Sequence, residues 1–202
     1  TVMAIEFLSA RMLTPYFGTG VQVWGTIIGT TVLSLGLGYY LGGHLSVQGI
    51  NKNKLFFVFL IASSFMAFMP MEAKSLIATL ANINPFVSVI IICVLLLAPC
   101  LILFGATPVL IIHLLSASSK DVGKTTGNVY AVSTIGGILG TFLVGFYIIP
   151  EFGITSPTII LALIPGGLSF ILLLMASKMV ALPYLLVVVL GFLSTKTKTP
   201  PS

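Results

Sequence analysis

Glu6 and Arg11 are the ionisable side chains whose position most needs an explanation, because both lie in an apolar segment near the start of the chain. Charged groups at membrane depth cost free energy and often mark a functional site. Glu6 is therefore a candidate proton- or substrate-coupled carboxylate. The two residues are five apart and do not share one stripe of an ideal helix. The simpler hypothesis, which we favour, is a structural pair that fixes the first helix against its neighbours.

The two histidines are weaker candidates for a functional site than Glu6. His113 lies at the end of a long apolar run, and a proton relay there would need an acidic partner, which is not near it in the sequence. A histidine that faces the membrane interface from a helix end is the favoured interpretation. His44 falls in a predicted loop and has the same interpretation. We keep Glu6, Arg11 and His113 as a possible intramembrane polar site.

Signatures of enzymes, cofactors and metals are missing from the sequence. No nucleophile has a base and an orienting acid at plausible spacing, and no phosphate-binding loop of P-loop type is present. Four acidic residues spread along the chain do not make a metal site, and Cys93 and Cys100 share one apolar run, where cysteine acts as a small hydrophobe. The sequence thus predicts no catalytic residue, no cofactor and no metal.

The amino-acid composition accounts for the small number of polar side chains. Of 202 residues, 57% are hydrophobic and 6% are charged, and the mean hydropathy is +1.18. Soluble domains average about 25% charged residues. A chain with so few charges could not cover a water-facing surface, so the lipid bilayer is its predicted solvent. The net charge of +5 lies in short loops and the tail, which is typical of cytoplasmic membrane loops and argues against nucleic-acid binding.

Apolar runs and their breakers predict an all-α, polytopic bundle of six to seven transmembrane helices in one domain, residues 1–193. The predicted helices cover residues 2–13, 21–43, 55–69, 85–115, 127–149 and 157–176. The first is too short for a bilayer core of about 30 Å, which indicates truncation at its N-terminus. A last apolar run at 179–193 contains Pro183 and either spans or lies in the interface. The tail, 194–202, is predicted to be disordered.

The connections set the predicted orientation. Lysines are concentrated after the second, fourth and sixth helices, at Lys52, Lys54, Lys120, Lys124 and Lys178. The alternate connections hold fewer: residues 70–84, which include Glu72 with Lys74 and a possible interfacial helical turn, and the one with Glu151. Because lysine and arginine favour cytoplasmic loops, we expect the N-terminus to be cytoplasmic and the protein to lie in the inner, cytoplasmic membrane.

Small residues recur at steps of about four in two of the predicted helices. Such spacing allows helix backbones to approach closely in lipid. Tight packing is the favoured interpretation, and a surface on which helices slide or rock is the alternative. The helix-packing candidates are Gly25, Gly29, Gly38, Gly42, Ser133, Gly136, Gly137, Gly140, Thr141 and Gly145.

Three stretches together resemble a known family. They are residues 6–43, with Glu6, Arg11, Pro15 and the glycines from Gly36 to Gly43; Phe104–Pro108; and Gly127–Thr141, followed by Pro150 and Gly153. Their order and spacing are similar to the N-terminal membrane domain of spermidine-synthase-like proteins, which are fused major-facilitator/spermidine-synthase proteins. The resemblance covers most of residues 2–155. Ser133 stands where that family usually has Asn.

The resemblance implies a fold like half of a major-facilitator-type transporter, and residues 43–54 loosely resemble the cytoplasmic loop between helices two and three of those transporters. The acidic residue usual in that loop is missing. The aminopropyltransferase domain that follows in the fused family is also absent from these 202 residues, so no catalytic residue is carried over.

Three functional hypotheses remain. The first is a non-catalytic structural or accessory subunit of a larger membrane complex, with membrane-protein partners or a homodimer, and we rank it first because transport chemistry is not visible. The second is a transporter-like module for a polyamine or a related small solute. The third is a membrane anchor for a separate, soluble aminopropyltransferase-like enzyme.

Overall fold

A computed structural model describes residues 2–47, 49, 51–80, 84–116, 121–152 and 155–176. These residues form helices joined by short connections, which confirms the predicted all-α class. The run 179–193 and the tail 194–202 lie outside the described residues. The helices are α1 (Val2–Phe17), α2 (Val21–Val47), α3 (Lys52–Leu80), α4 (Pro85–Ser116), α5 (Val122–Phe142), a π-helical turn (Leu143–Ile148), α6 (Ile149–Phe152) and α7 (Thr155–Ala176).

Within the described ranges, four helical segments are long and apolar enough to cross a membrane: α2, α3, α4 and the continuous run Val122–Glu151. They contain 27, 29, 32 and 30 residues. At 1.5 Å per residue even the shortest is about 40 Å long, more than a hydrocarbon core of about 30 Å. A shorter apolar helix occupies Thr158–Ile171 within α7. These segments are compatible with the predicted membrane location.

The end of α3 corrects the sequence-based boundaries. We predicted a connection over residues 70–84, but α3 continues through Pro70 to Leu80. Pro70 is buried inside the helix, while Glu72 and Lys74 are exposed on its surface. Membrane helices tolerate an internal proline when packing against neighbouring helices and local backbone adjustment compensate for the lost hydrogen bond. Proline was therefore a misleading stop signal here.

Other boundaries shift by a few residues. His44, predicted in a loop, lies in the last turn of α2. The fifth helix begins at Val122 rather than at Gly127. Pro150, predicted to stop that helix, lies within α6, which continues from the π-helical turn. In that turn the Ile149 N–H donates to the Val144 carbonyl five residues back, so the register has already widened where Pro150 contributes no N–H.

The core of the bundle is built around α4. This helix packs against α1, α2, α3 and α5, and its contact with α2 is the most extensive in the fold. Pro99 and Pro108 lie inside it without ending it. Its buried residues Ile92, Leu97 and Leu101 join Met66 of α3 in the main apolar cluster. By contrast, α5 buries none of its residues.

Candidate functional site

A cleft of about 540 Å³ lies among α1, α2, α3, α4 and α5. Its volume is within the range of about 300–1,000 Å³ that is usual for small-molecule sites. The lining residues are Val2, Met3, Leu35, Tyr39, Phe59, Phe104, Gly105, Thr107, Pro108, Ile111, Tyr130, Ser133, Thr134, Gly136 and Gly137. Several exposed residues of α5 therefore line this cleft.

Hydroxyl groups from three helices converge on the cleft. Tyr39 comes from α2, Thr107 from α4, and Tyr130, Ser133 and Thr134 from α5. Thr107 and Thr134 each donate to the carbonyl four residues back in their own helix. None of the lining residues that the structure describes is charged, so they offer hydrogen bonds and no ion pair.

Aromatic rings form much of the apolar wall. The Phe59 and Phe104 rings meet edge to face, with centroids 6.1 Å apart and an interplanar angle of 74°. This is a favoured geometry for two aromatic rings, and it fixes α3 against α4 beside the cleft. With the rings of Tyr39 and Tyr130, the wall suits a ligand that has an apolar body.

Glu6 lies one helical turn beyond the cleft. On α1 it follows Val2 and Met3 by four and three residues, and side chains at these spacings share a helix face. The side chain of Thr31 on α2 lies close to its carboxyl group. Thr31 in turn precedes the cleft residue Leu35 by four. Glu6 and Thr31 therefore each lie one turn from a cleft-lining residue of their own helix, and neither of them lines the cleft itself.

Thr31 differs from the buried serines Ser9, Ser34 and Ser63. Ser9, Ser34 and Ser63 each donate to the carbonyl four residues back. Thr31 is only 2% exposed, yet its Oγ1 atom has no partner within hydrogen-bond geometry. The Glu6 interaction is thus a close approach and not a formed hydrogen bond. A buried hydroxyl without a partner costs free energy, of order 1–3 kcal/mol, unless something else satisfies it.

Arg11 does not pair with Glu6. Its side chain is exposed, and its guanidinium lies over the Phe7 ring, 5.9 Å from the centroid. Among the described residues, no salt bridge joins it to Glu6. His113 lies exposed in the last turn of α4, outside the cleft lining. The structure therefore brings only Glu6, of the three predicted polar residues, close to the cleft.

The small residues divide into three groups. Gly38 and Gly42 lie against the α4 backbone: a Cβ added to Gly42 would lie 2.8 Å from the Ala106 carbonyl oxygen. Gly137 and Gly145 face side chains of α1, Met3 and Phe7 respectively. The remaining glycines of the predicted set have open space, with nothing within 4 Å of an added Cβ; these are Gly25, Gly29, Gly136 and Gly140. Ser133 lines the cleft, and Thr141 donates to the Gly137 carbonyl.

Sequence reasoning missed most of the cleft. Tyrosines near the ends of membrane helices are typical of an aromatic belt at the interface, but the structure places Tyr39 in the cleft lining. Phe59, Tyr130 and Thr31 received no role. One signal was present: all three stretches that carry the family resemblance, 6–43, 104–108 and 127–141, contribute residues to this cleft. Residue types alone gave no reason to bring them together.

Within the described part of the chain, no group of three or more His, Cys, Asp or Glu residues is arranged to hold a metal ion. No protein-family model, curated protein or solved structure matches this chain.

Proposed function

We propose that the protein is a non-catalytic, transporter-like membrane module that binds a small amphiphilic solute in the cleft. The observation that carries this proposal is the convergence of hydroxyls and aromatic rings from α2, α4 and α5 on one cavity of ligand size. Leu35 lies near the midpoint of α2, so the cavity reaches mid-membrane depth. Polar groups at that depth are expensive in lipid, and lining a solute pathway would explain them.

The finer topology belongs to the same proposal. It comprises six to seven spans arranged like half of a major-facilitator-type transporter, in the inner, cytoplasmic membrane with a cytoplasmic N-terminus. The cleft residues of α2 and α4 lie toward the C-terminal ends of those helices, and those of α5 lie before or at the middle of the continuous helical run Val122–Glu151. These ends adjoin the lysine-rich connections, so the cleft would lie in the cytoplasmic half of the membrane.

The test is a ligand screen on the wild-type protein and on a variant in which a large side chain blocks the cleft. Purified protein in mild detergent would be melted in the presence of a panel of small amphiphiles, amines and neutral solutes. We expect at least one class to raise the melting temperature. Ser133→Trp places a large ring in the cleft and should abolish that rise. Val132→Trp, at the adjacent and 71% exposed position, is the matched control and should keep it.

Two results would contradict the proposal. One is a panel in which no solute stabilises the wild-type protein. The other is an equal response from the two tryptophan variants, because binding would then lie outside the cleft. Uptake of the stabilising solute into proteoliposomes would next distinguish a carrier from a receptor.

A second function, an accessory subunit of a larger membrane assembly, is favoured by a separate observation. Helix α5 buries none of its residues, and Gly136 and Gly140 have open space around them. Small exposed residues in lipid allow another helix to pack closely. Native mass spectrometry after mild extraction tests this: partners at fixed stoichiometry support it, and a lone chain argues against it. The hypothesis of an anchor for a soluble enzyme depends on the family resemblance alone.

A further inference from the structure

We infer that the cleft takes an uncharged amphiphile: a molecule with an apolar tail and one neutral head group, such as a hydroxyl or a primary amide, that both donates and accepts hydrogen bonds. The inference rests on the proposed binding function of the cleft and narrows it to a ligand class and a direction of binding. Charged amines, polyamines among them, and carboxylates fall outside that class.

The directions of three helices define the two ends of the cleft. A Cβ added to Gly38 would meet the Ile102 carbonyl, and one added to Gly42, a turn later, would meet the Ala106 carbonyl, so α2 and α4 run in the same direction. Helix α5 begins shortly after α4 ends and packs against it, so it runs back in the opposite direction. The C-terminal halves of α2 and α4 and the start of α5 therefore lie at the same end of the cleft.

Hydroxyl groups of the lining are concentrated at that end. On α5, Tyr130, Ser133 and Thr134 come before the two glycines of the lining. On α2, Tyr39 comes one turn after Leu35. Because α2 and α5 run in opposite directions, these hydroxyls share one end of the cleft, which we call the polar end. Helix α4 lines the cleft mainly with apolar groups, so the separation of polar from apolar lining comes from α2 and α5.

The opposite, apolar end is formed by Leu35, Gly136 and Gly137 with Val2 and Met3 of α1. The Met3 Sδ atom would lie 3.7 Å from a Cβ added to Gly137, which places the α1 side chain at the level of the glycines. A ligand tail at this end would contact apolar side chains and bare backbone, and each methylene group buried there would strengthen binding.

The side chains at the polar end can be reached by a ligand head group. Tyr39 and Tyr130 are 42% and 43% exposed, and Ser133 is exposed as well. Thr134 donates its own hydrogen to the Tyr130 carbonyl, which leaves its oxygen as an acceptor. The polar end thus offers donors and acceptors together. A hydroxyl or a primary amide matches both kinds of group, because each of them donates and accepts.

A charged head group would have no counter-ion in the cleft. None of the described lining residues carries a charge, and Glu6 lies outside the lining. A charge that leaves water for such a site loses its hydration without gaining an opposite charge. A neutral head group loses less, because hydrogen bonds to Tyr39, Tyr130 and Ser133 replace those it made to water.

The first experiment varies the head group on one alkyl chain: octanamide, n-octylammonium and octanoate at neutral pH. Binding to the purified full chain in mild detergent is measured for each probe and corrected for partition into protein-free micelles. We expect octanamide to bind at least about tenfold more tightly than either ion. Tyr39→Phe keeps the ring, removes one hydroxyl and should weaken octanamide binding about two- to tenfold. Tyr40→Phe, at the adjacent, 74% exposed position outside the lining, is the matched control and should bind as the wild type does.

The second experiment tests the direction of binding through chain length. In the wild type, octanamide should bind about tenfold more tightly than hexanamide, because two more methylene groups are buried. Gly136→Leu fills the apolar end, where an added Cβ has open space, and should remove most of that gain. Gly140→Leu, one turn along α5 and outside the lining, also has open space and should keep it. Gly136→Val replaces Gly136→Leu if the melting curve shows that the larger side chain prevents folding.

Three results would overturn the inference: either ion binding as tightly as octanamide, an equal effect of the two tyrosine variants, or an unchanged chain-length gain when the apolar end is filled. The cleft itself would still stand as a binding site if Ser133→Trp abolished the binding of whichever probe binds. Binding that is insensitive to Ser133→Trp would reject the proposed function as well.

Discussion

Helices α2 and α5 both carry glycines at steps of four, yet they meet their surroundings in opposite ways. Gly38 and Gly42 of α2 lie against the α4 backbone, closer than any Cβ atom would allow. Gly136 and Gly140 of α5 have nothing within 4 Å of an added Cβ. In lipid the apolar surface of a helix is already solvated, so close packing has to come from van der Waals contact. The same spacing thus gives a core contact at Gly38 and Gly42 and an open face at Gly136 and Gly140.

The largest expected difference in stability is between replacing a buried leucine and replacing an exposed one. Leu101 of α4 is fully buried, whereas Leu139 of α5 is 64% exposed. Leu101→Ala should lower the free energy of unfolding by about 2–5 kcal/mol because it leaves a cavity in the main cluster. Leu139→Ala should change it by less than about 0.5 kcal/mol. Unfolding in mixed detergent micelles measures both, and similar losses would mean that α5 is buried in the purified protein.

The next comparison uses two glycines of the same helix. In Gly38→Ala the new methyl group would meet the Ile102 carbonyl and lie 3.0 Å from the Gly105 Cα, so the helices must separate. We expect a loss of about 1–3 kcal/mol, the usual cost of overpacking. Gly29→Ala has open space and should gain up to about 1 kcal/mol from helix propensity. Melting temperatures that shift in the same direction would refute the close α2–α4 contact.

At Glu6 we expect a substitution to stabilise the protein, in contrast to Leu101→Ala and Gly38→Ala. Glu6→Gln removes an uncompensated carboxylate and should raise the free energy of unfolding by about 1 kcal/mol in the absence of ligand, as happens when functional strain is relieved. Glu72→Gln should leave it unchanged. A lower stability of Glu6→Gln would favour our first hypothesis, that Glu6 is a structural residue. Thermal melting of the two variants side by side distinguishes a destabilising, uncompensated Glu6 from a structural one.

The smallest effect is expected on the open face of α5. Gly140→Ala should alter the stability of the isolated chain by no more than about 1 kcal/mol, and in the stabilising direction. The bulkier Gly140→Ile should also be tolerated when the protein is alone. If α5 packs against a partner subunit, Gly140→Ile would remove that partner from native mass spectra while leaving the melting curve unchanged. Destabilisation of the isolated chain would instead place Gly140 inside the bundle.

Local patterns in the sequence were sufficient for the class of the fold and for most of its helices. Long apolar runs predicted α2, α4 and α7 to within a few residues, because apolar composition and length determine which segments partition into lipid. Boundaries at prolines were less predictable. Pro70 and Pro150 lie inside helical segments, since packing in the bundle compensates for a missing hydrogen bond that would end a helix in water.

The candidate site was predictable only in part. Glu6 was identified because a carboxylate within an apolar segment is unusual whatever the tertiary structure is. Its pairing with Arg11 was an expectation from proximity in the sequence, and the structure instead places Thr31 of another helix beside it. Tyr39, Phe59 and Tyr130 are far apart in the chain and were ordinary apolar-segment residues until α2, α3 and α5 came together around the cleft.

The sequence by itself determined that this protein is helical and suited to a membrane, because hydropathy and segment length are properties of local composition. The tertiary structure decided which glycines are contacts and which are open, and it decided that Glu6 has a buried hydroxyl beside it and an uncharged cleft one turn away. Those features depend on how helices cross, and a periodic small-residue pattern is compatible with many crossings in lipid.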